Sequence, residues 1–143
     1  MDRREFVRKC GMGCLGIAAT GLLLEGCAGT RYIYGNIDGS YLSLPEAAFL
    51  KEENNYLKYV VVQNESLQYP VAVFRFNANE YKALLMKCTH QGTELQVFGD
   101  RLQCPAHGSE FTQDGSVQNG PADTSLRSFP IIKENKTLKI DLS

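Results

Sequence analysis

The segments CTHQGT at residues 88–93 and CPAHGS at residues 104–109 contain both histidines of the chain and two of its five cysteines. Each segment offers one thiolate and one imidazole, two or three residues apart, and each continues with a glycine. A loop of this kind can give one ligand to each of two metal ions, so two loops supply two thiolates and two imidazoles. The sequence therefore predicts a metal centre formed by Cys88, His90, Cys104 and His107.

Three uses of these four side chains are open at this point. A structural zinc site takes two cysteines and two histidines, but zinc-finger spacings usually pair Cys with Cys and His with His. A disulfide between Cys88 and Cys104 suits an oxidising compartment but leaves both histidines without a role. A 2Fe–2S cluster with two Cys on one iron and two His on the other employs all four residues. The spacing favours the cluster.

Length and composition limit the chain to one small globular domain. The chain has 143 residues, of which 43% are hydrophobic and 22% are charged, and its formal net charge is −1. This composition is ordinary for a folded domain and argues against wholesale disorder. The charge balance lacks the basic excess that drives nonspecific binding to nucleic acid. We therefore expect no nucleic-acid partner.

The chain from Tyr32 onward has the pattern of an all-β domain. Short alternating or β-branched runs are separated by polar, Gly or Pro residues, which is typical of strands joined by turns. Strands at this spacing predict a sandwich or a small barrel. One short helix is predicted over Pro45–Lys51, with the proline in its first turn. The predicted strands are Tyr41–Leu44, Tyr56–Val62, Val71–Phe76, Tyr81–Met86, Gln96–Phe98, Arg101–Gln103, Leu126–Ile132 and Leu138–Leu142.

The first residues of the chain carry the features of an export signal. Four basic residues in MDRREFVRKC precede an uncharged stretch of 14 residues, Gly11–Leu24. A membrane-spanning helix needs about 20 residues, whereas the apolar region of a signal peptide has the observed length. The segment Arg3–Arg8 resembles the twin-arginine export motif, an address that is read by a receptor. An uncleaved anchor helix is the alternative.

The segment LEGC at residues 24–27 resembles the box at which bacterial lipoproteins are cleaved and lipidated. Its leucine and glycine match that pattern, whereas Glu25 does not. The sequence thus predicts a signal peptide over residues 1–26, lipidation of Cys27, a tether over residues 27–36 and one domain over residues 37–143. The expected location is the outer, periplasmic side of a bacterial membrane.

The two metal-binding segments resemble the cluster-binding loops of the Rieske iron–sulfur proteins, which read C-x-H and C-x-x-H. The two cysteines of this chain are 16 positions apart, which matches that family. The resemblance implies one 2Fe–2S cluster in a Rieske-type β-sandwich or small barrel. It implies that Cys88 and Cys104 bind the inner iron and that His90 and His107 bind the outer, solvent-facing iron. Rieske clusters have reduction potentials of about −150 to +300 mV.

Neighbouring residues differ in part from the quinol-oxidising branch of this family. That branch has a second cysteine in each loop, and the two form a disulfide across the cluster; this chain has Thr93 and Ala106 there. The branch also has a serine and a tyrosine that donate hydrogen bonds near the cluster, and phenylalanine replaces the tyrosine here. A Gly-Pro pair further on resembles the loop that covers the cluster. The residues that the resemblance places beside the cluster are Ser109, Phe111, Gly120 and Pro121.

The expected function is electron transfer without a substrate site of its own. We expect an exported, membrane-anchored Rieske protein that passes single electrons from a quinol- or dehydrogenase-level donor to a cytochrome-like acceptor. The alternatives are a subunit of a quinol-oxidising cytochrome bc-type complex, a donor subunit of a periplasmic oxidoreductase, and a non-redox, zinc-stabilised binding module. We do not expect the large subunit of an oxygenase, because no room remains in these 143 residues for a catalytic iron domain and no further histidine is present to bind its iron.

Overall fold

The computed structural model describes residues 4–5 and 29–143. Over these ranges no helix has the length and apolar character needed to cross a bilayer. Almost all of the predicted signal peptide, and the predicted lipid site at Cys27, lie outside the described residues. The described strands are β1 (Tyr32–Tyr34), β2 (Asn36–Asp38), β3 (Tyr41–Pro45), β4 (Leu50–Glu52), β5 (Asn55–Tyr56), β6 (Tyr59–Gln63), β7 (Val71–Arg75), β8 (Tyr81–Leu85), β9 (Gln96–Phe98), β10 (Arg101–Gln103), β11 (Glu110–Thr112), β12 (Val117–Asn119), β13 (Ser128–Phe129), β14 (Ile131–Glu134) and β15 (Thr137–Asp141).

A central sheet of five strands, in the order β1-β6-β7-β8-β13, is buried on both faces. Its strands β6 and β7 read YVVVQ and VAVFR, which are nearly uninterrupted apolar runs. A strand with one buried face alternates apolar and polar residues, so continuous runs indicate burial on both sides. The structure agrees, because residues 60–62 and 71–73 are fully buried.

One face of the central sheet packs against a four-stranded sheet in the order β14-β15-β3-β2. Alternate residues of β6 and β7 point to this side and meet the inward residues of β3 and β15. We call the resulting cluster the base core. It consists of Leu42, Leu44, Phe49, Val60, Val62, Val71, Val73, Ala83, Phe129, Leu138 and Ile140.

The opposite face of the central sheet packs against a second four-stranded sheet, β12-β11-β10-β9. The strands β9 and β10 pair antiparallel about the predicted turn at Gly99, which has a φ of 62°. This hairpin brings the residues before β9 and after β10, and hence both metal-binding segments, to the same end of the sheet. The cluster on this side, the loop core, consists of Val61, Ala72, Phe74, Leu84, Met86, Cys88, Leu95, Val97, Leu102, Cys104, Phe111, Ala122 and Leu126.

The all-β class predicted from the sequence is confirmed, and the differences concern short elements. The helix predicted over Pro45–Lys51 is a single 3₁₀ turn at Glu46–Phe49 that is followed at once by β4. The turn ends after four residues, and only Phe49 among them is buried. The strand predicted over Leu126–Ile132 divides into β13 and β14 at Pro130, which has no N–H to give to a strand ladder.

Part of the predicted tether belongs to the folded domain. Strand β1 pairs in parallel with β6, and the amide of Gly35 donates to the carbonyl of Gln63 at 3.0 Å. A Cβ on Gly35 would lie 2.6 Å from the side chain of Leu42, so only glycine fits here. The ordered domain therefore begins before residue 37, because the last residues of the 27–36 segment are in the sheet.

Candidate metal centre

The first metal-binding loop turns back on its own cysteine. The amide of Cys88 donates to the carbonyl of Thr93 at 2.8 Å, and the amide of Gly92 donates to the carbonyl of Cys88 at 2.8 Å. Gly92 has a φ of 76°, a conformation that glycine adopts without strain. The hydroxyl of Tyr69 donates to the carbonyl of Gly92 at 2.7 Å and ties the loop to the rest of the domain. His90 lies at the exposed turn.

The second loop repeats this pattern of bonds. The amide of Cys104 donates to the carbonyl of Ser109 at 2.8 Å, and the amide of Gly108 donates to the carbonyl of Cys104 at 3.0 Å. Gly108 has a φ of 78°. Each loop therefore starts with a buried cysteine, turns at an exposed histidine and closes at a glycine. The two loops hold equivalent donors by equivalent backbone geometry.

The four predicted ligands form an inner pair and an outer pair at one end of the domain. Cys88 and Cys104 are 1% and 2% exposed, belong to the loop core and are free thiols. His90 and His107 are exposed, and their ring centroids lie 5.2 Å apart. Two sulfur donors inside and two nitrogen donors outside suit a cluster with two chemically different irons, and the residues present therefore fit a Rieske centre.

The surroundings of Cys104 favour its ionised form. Burial by itself raises the pKa of this thiol, but hydrogen bonds from the backbone of His107 and Ala106 lower it. The side chains of Cys88 and Thr93 also bond to the thiol, and together these groups hold the pKa of Cys104 below its ordinary value. Metal ligation requires the thiolate, so this shift prepares the residue for binding. The role of Thr93 was not foreseen from the sequence, which predicted only that no disulfide forms there.

A third loop is bonded to both metal-binding loops. The buried hydroxyl oxygen of Ser109 accepts a hydrogen bond from the amide of Ala122 at 3.0 Å. The hydroxyl of Thr89 donates to the carbonyl of Thr124 at 2.6 Å. These two bonds attach one segment of backbone to each loop, so the three loops form one connected unit. The sequence did not single out Thr89 or Thr124, because hydroxyl residues carry no signal of their partners.

The four residues predicted to lie beside the cluster differ in burial. Ser109 and Phe111 are fully buried, and Phe111 lies in the loop core with both cysteines. Gly120 and Pro121 are exposed and are joined by a cis peptide bond. The loop they belong to reaches the site through Ala122, which is 5% exposed.

A cavity of about 600 Å³ opens beside His90 and contains two basic side chains. The ammonium of Lys87 lies 5.4 Å from the ring centroid of Tyr69, and the guanidinium of Arg127 lies 4.9 Å from that of Phe129. Within residues 29–143 neither of these cations pairs with an aspartate or glutamate; Arg127 donates to backbone carbonyls near the C-terminus. The cavity therefore places positive charge next to one of the two exposed imidazoles.

The family model of the Rieske [2Fe-2S] domain matches residues 46–130, more than half of the chain, including both loops. The chain belongs to this family. The identification predicted from the two segments is thereby confirmed, and so is the expected cofactor, because Rieske domains bind a 2Fe–2S cluster. A Rieske cluster carries electrons, so the function is electron transfer at this coarse level.

The curated relatives of this Rieske chain are longer than the segment it matches. The cytochrome b6-f complex iron-sulfur subunit of Chlorobaculum tepidum is 29% identical over 58 residues, which are 39% of this chain and 32% of the relative. Subunit 3 of the same kind from Nostoc is 41% identical over 46 residues, 31% of this chain and 26% of the relative. The oxygenase component of chloroacetanilide N-alkylformylase from Rhizorhabdus wittichii is 29% identical over 87 residues, with 54% and 25% covered. The chain thus spans a quarter to a third of these relatives.

Solved structures share the fold of this Rieske domain. The cyanobacterial plasma membrane Rieske protein from Synechocystis aligns with a TM-score of 0.51 at 24% identity, over 59% of this chain and 86% of that chain. A chain from the complex of reduced oxygenase and oxidized ferredoxin in carbazole 1,9a-dioxygenase aligns with a TM-score of 0.54 at 20% identity, with 73% and 95% covered. At these identities the likeness shows the fold alone, and it agrees with the predicted Rieske-type sandwich.

Proposed function

We propose that this Rieske protein is held on the outer side of a bacterial membrane and passes single electrons between a quinol- or dehydrogenase-level donor and a cytochrome-like acceptor. The observation that carries the proposal is the arrangement of two buried thiols and two exposed imidazoles at one end of the domain. The buried pair keeps water from one side of the centre. The exposed pair leaves the other side accessible to a partner protein.

The four side chains have distinct roles in this proposal. Cys88 and Cys104 hold the inner iron, and His90 and His107 hold the outer iron. A Rieske cluster, when bound, exchanges one electron at a time. The closed backbone of each loop fixes the separation of its cysteine and histidine, so little rearrangement accompanies binding.

The charges beside His90 suit a partner with an acidic surface. Lys87 and Arg127 line the cavity next to this imidazole. Attraction between a positive surface and an acidic partner speeds their association, and the effect weakens as ionic strength rises. We therefore propose that the acceptor presents carboxylates toward this side of the metal centre.

The membrane attachment rests on the N-terminal sequence. Cys27 follows the apolar stretch Gly11–Leu24 where a cleavage site is expected, and Arg3–Arg8 resembles a twin-arginine signal. Acyl chains on Cys27 would hold the domain at the bilayer surface without spanning it.

A subunit of a quinol-oxidising cytochrome bc-type complex is the second candidate. It is favoured by the b6-f iron-sulfur subunits among the relatives and by Ser109, which that branch also carries. In such a complex a quinol would meet His90 or His107 directly. A cytochrome b that co-purifies with the detergent-solubilised native protein would select this candidate over a freely acting carrier.

Protein-film voltammetry tests the electron-transfer function. The native protein should give a reversible one-electron wave, and His90→Ala should lose it while remaining folded by circular dichroism. A native protein with bound metal and no wave would contradict the proposal.

Membrane fractionation tests the attachment. Cys27→Ser should release the domain from the membrane or leave an unprocessed precursor, and Arg3→Lys combined with Arg4→Lys should block export. If Cys27→Ser protein is processed and membrane-bound like the wild type, the lipid anchor is wrong and residues 11–24 form an anchor instead.

A further inference from the structure

A basic groove lies beside Gly29, at the start of the described domain. The groove has a volume of about 360 Å³ and lies at the end of the domain that contains Gly29. Three cationic side chains line it, and no aspartate or glutamate does. The cations and the two aromatic residues between them are Arg31, Lys51, Lys58, Tyr56 and Tyr59.

One of the three cationic side chains is held in place by hydrogen bonds to the backbone, and the other two are exposed. The guanidinium of Arg31 donates to the carbonyls of Ala48 and Leu50 at 3.0 and 2.8 Å, which holds it in place without neutralising it. Lys51 and Lys58 are exposed, and within the described ranges neither forms an ion pair. The groove therefore presents three positive charges to any anionic surface that approaches it.

The acidic residues near the groove lie outside its lining. Asp100, at the tip of the β9–β10 hairpin, is paired with Arg101 at 3.5 Å. Glu52 and Glu53 lie at the turn of the β4–β5 hairpin and do not line the groove.

Exposed apolar side chains accompany the basic residues of the groove. Tyr56, which lines the groove, is 42% exposed, and its cross-strand partner Leu50 is 41% exposed. Aromatic and aliphatic groups interleaved with lysine and arginine are typical of surfaces that rest in the headgroup region of a membrane.

We propose that the groove and its apolar rim form the face with which the domain rests on an anionic phospholipid surface. Cys27 precedes Gly29 by two residues, and two residues of extended chain span about 7 Å at most. The proposed lipid anchor at Cys27 therefore brings the bilayer close to this groove. Basic side chains this close to an anionic leaflet are attracted to it. The inference rests on the proposed membrane attachment.

This contact turns the metal centre away from the membrane. Gly99, at the tip of the β9–β10 hairpin, lines the groove, whereas Cys104 follows the other end of β10, and a three-residue strand is about 10 Å long. The registers of β6, β7 and β8 likewise put Tyr59 and Leu85 at opposite ends of the central sheet, and Cys88 lies just beyond Leu85. The exposed histidines then face the aqueous phase, where a soluble acceptor reaches them.

Lipid quenching of a single tryptophan tests the contact, because the chain contains no tryptophan of its own. The full native chain carrying Tyr56→Trp, or Tyr34→Trp as the matched control, is reconstituted into phosphatidylcholine–phosphatidylglycerol vesicles with plain or brominated acyl chains. Tyr34 is 73% exposed at the far end of β1. The fluorescence in brominated vesicles is divided by that in plain vesicles, which removes the contribution of quenching by the protein itself. We expect quenching of Tyr56→Trp at least about threefold stronger than that of Tyr34→Trp.

Charge variants of the Tyr56→Trp chain give a second measurement. Lys51→Gln with Lys58→Gln should weaken the quenching in vesicles that contain phosphatidylglycerol and leave it unchanged in pure phosphatidylcholine, whereas Lys136→Gln should change neither. A chain that floats with the vesicles but is quenched equally at both positions overturns the proposed face and leaves the anchor intact. A chain that does not float with the vesicles overturns both the proposed lipid anchor and the proposed membrane-facing groove. That result would leave the proposed 2Fe–2S cluster unaffected.

Discussion

The base core and the loop core differ in what holds them together. The base core contains only aliphatic and aromatic side chains, and its longest strand pairs run over four or five residues. The loop core contains both thiols, Ser109 is buried near it, and strands β9 to β12 have three residues each. Short strands bury less apolar surface, so the loop side depends more on the bonds among its three loops and on its ligand.

This difference indicates where folding and cluster binding are coupled. A ligand set that is complete only in the folded state adds its binding free energy to folding. All four proposed ligands belong to the loop side, and none lies in the base core. Loss of the cluster should therefore loosen the loop side and leave the base sheets ordered.

Removal of a single ligand should have the largest effect. Replacing Cys88, His90, Cys104 or His107 by alanine should abolish the EPR signal of the reduced cluster, because neither loop holds the cluster alone. Amide exchange should accelerate in β10 and β11, while β6 and β15 stay protected. A variant that keeps the EPR signal would contradict the proposed ligand set. Equal loss of protection in β10 and β15 would contradict the proposed difference between the two cores.

Two leucines, one in each core, allow a matched test of stability. Leu138 and Leu102 are both fully buried, so Leu138→Ala and Leu102→Ala should each cost about 2–5 kcal/mol of the free energy of unfolding. Only Leu102→Ala should also speed the loss of the cluster to a chelator. Urea unfolding and the visible absorbance of the cluster measure the two effects. Equal chelation rates in the two variants would mean that the cores are not independent.

A smaller effect is expected from the hydroxyl of Ser109. Its oxygen accepts the amide of Ala122, which leaves its hydrogen to donate toward the cluster. Ser109→Ala should lower the reduction potential by roughly 50–100 mV, and Phe111→Tyr should raise it by a similar or smaller amount. Protein-film voltammetry measures both. If both variants stay within about 20 mV of the wild type, these side chains do not tune the cluster.

The smallest effect concerns Glu46, a partly exposed residue at the edge of the base. The carboxylate of Glu46 accepts hydrogen bonds from Lys133 at 2.7 Å and from Tyr81 at 3.0 Å. The bond from Lys133, with that from Tyr81, holds the pKa of Glu46 below its ordinary value of 4.5. Its charged form is thus favoured by folding, so its contribution is fully present above pH 4.5 and is lost as the pH falls through the lowered pKa.

Glu46→Gln should therefore cost about 0.5–1 kcal/mol at neutral pH and progressively less in acid. Urea unfolding of the cluster-free His90→Ala chain, with and without Glu46→Gln, isolates this difference from the stability of the cluster. In the cluster-loaded protein the substitution should leave the reduction potential unchanged. A deficit that does not shrink in acid would contradict the assignment.

The strands that could be predicted are those whose own residues indicate that they are buried. β6, β7 and β8 are predicted because their apolar runs are continuous or nearly so. β2 and β12 are not, because strands such as NID and VQN take their conformation from neighbours in the sheet rather than from their own residues.

The same distinction, between signals within a segment and contacts between distant segments, applies to the metal site. The four candidate ligands are singled out by the sequence alone, because a thiolate and an imidazole at fixed spacing indicate metal-binding chemistry. The bond between Thr89 and Thr124 joins positions 35 residues apart, and that between Ser109 and Ala122 ends on a backbone amide. Such contacts have no local signal, so only the folded chain shows that the third loop joins the other two.

The central claim is that the two loops together hold one 2Fe–2S cluster through two thiols and two imidazoles. Iron, zinc and acid-labile sulfide analysis of the purified native protein, combined with EPR of the reduced sample, tests it most directly. The account predicts equal amounts of iron and labile sulfide and a Rieske-type signal whose average g value lies below that of the free electron. Stoichiometric zinc without labile sulfide or such a signal would contradict the claim and identify a zinc-stabilised module instead.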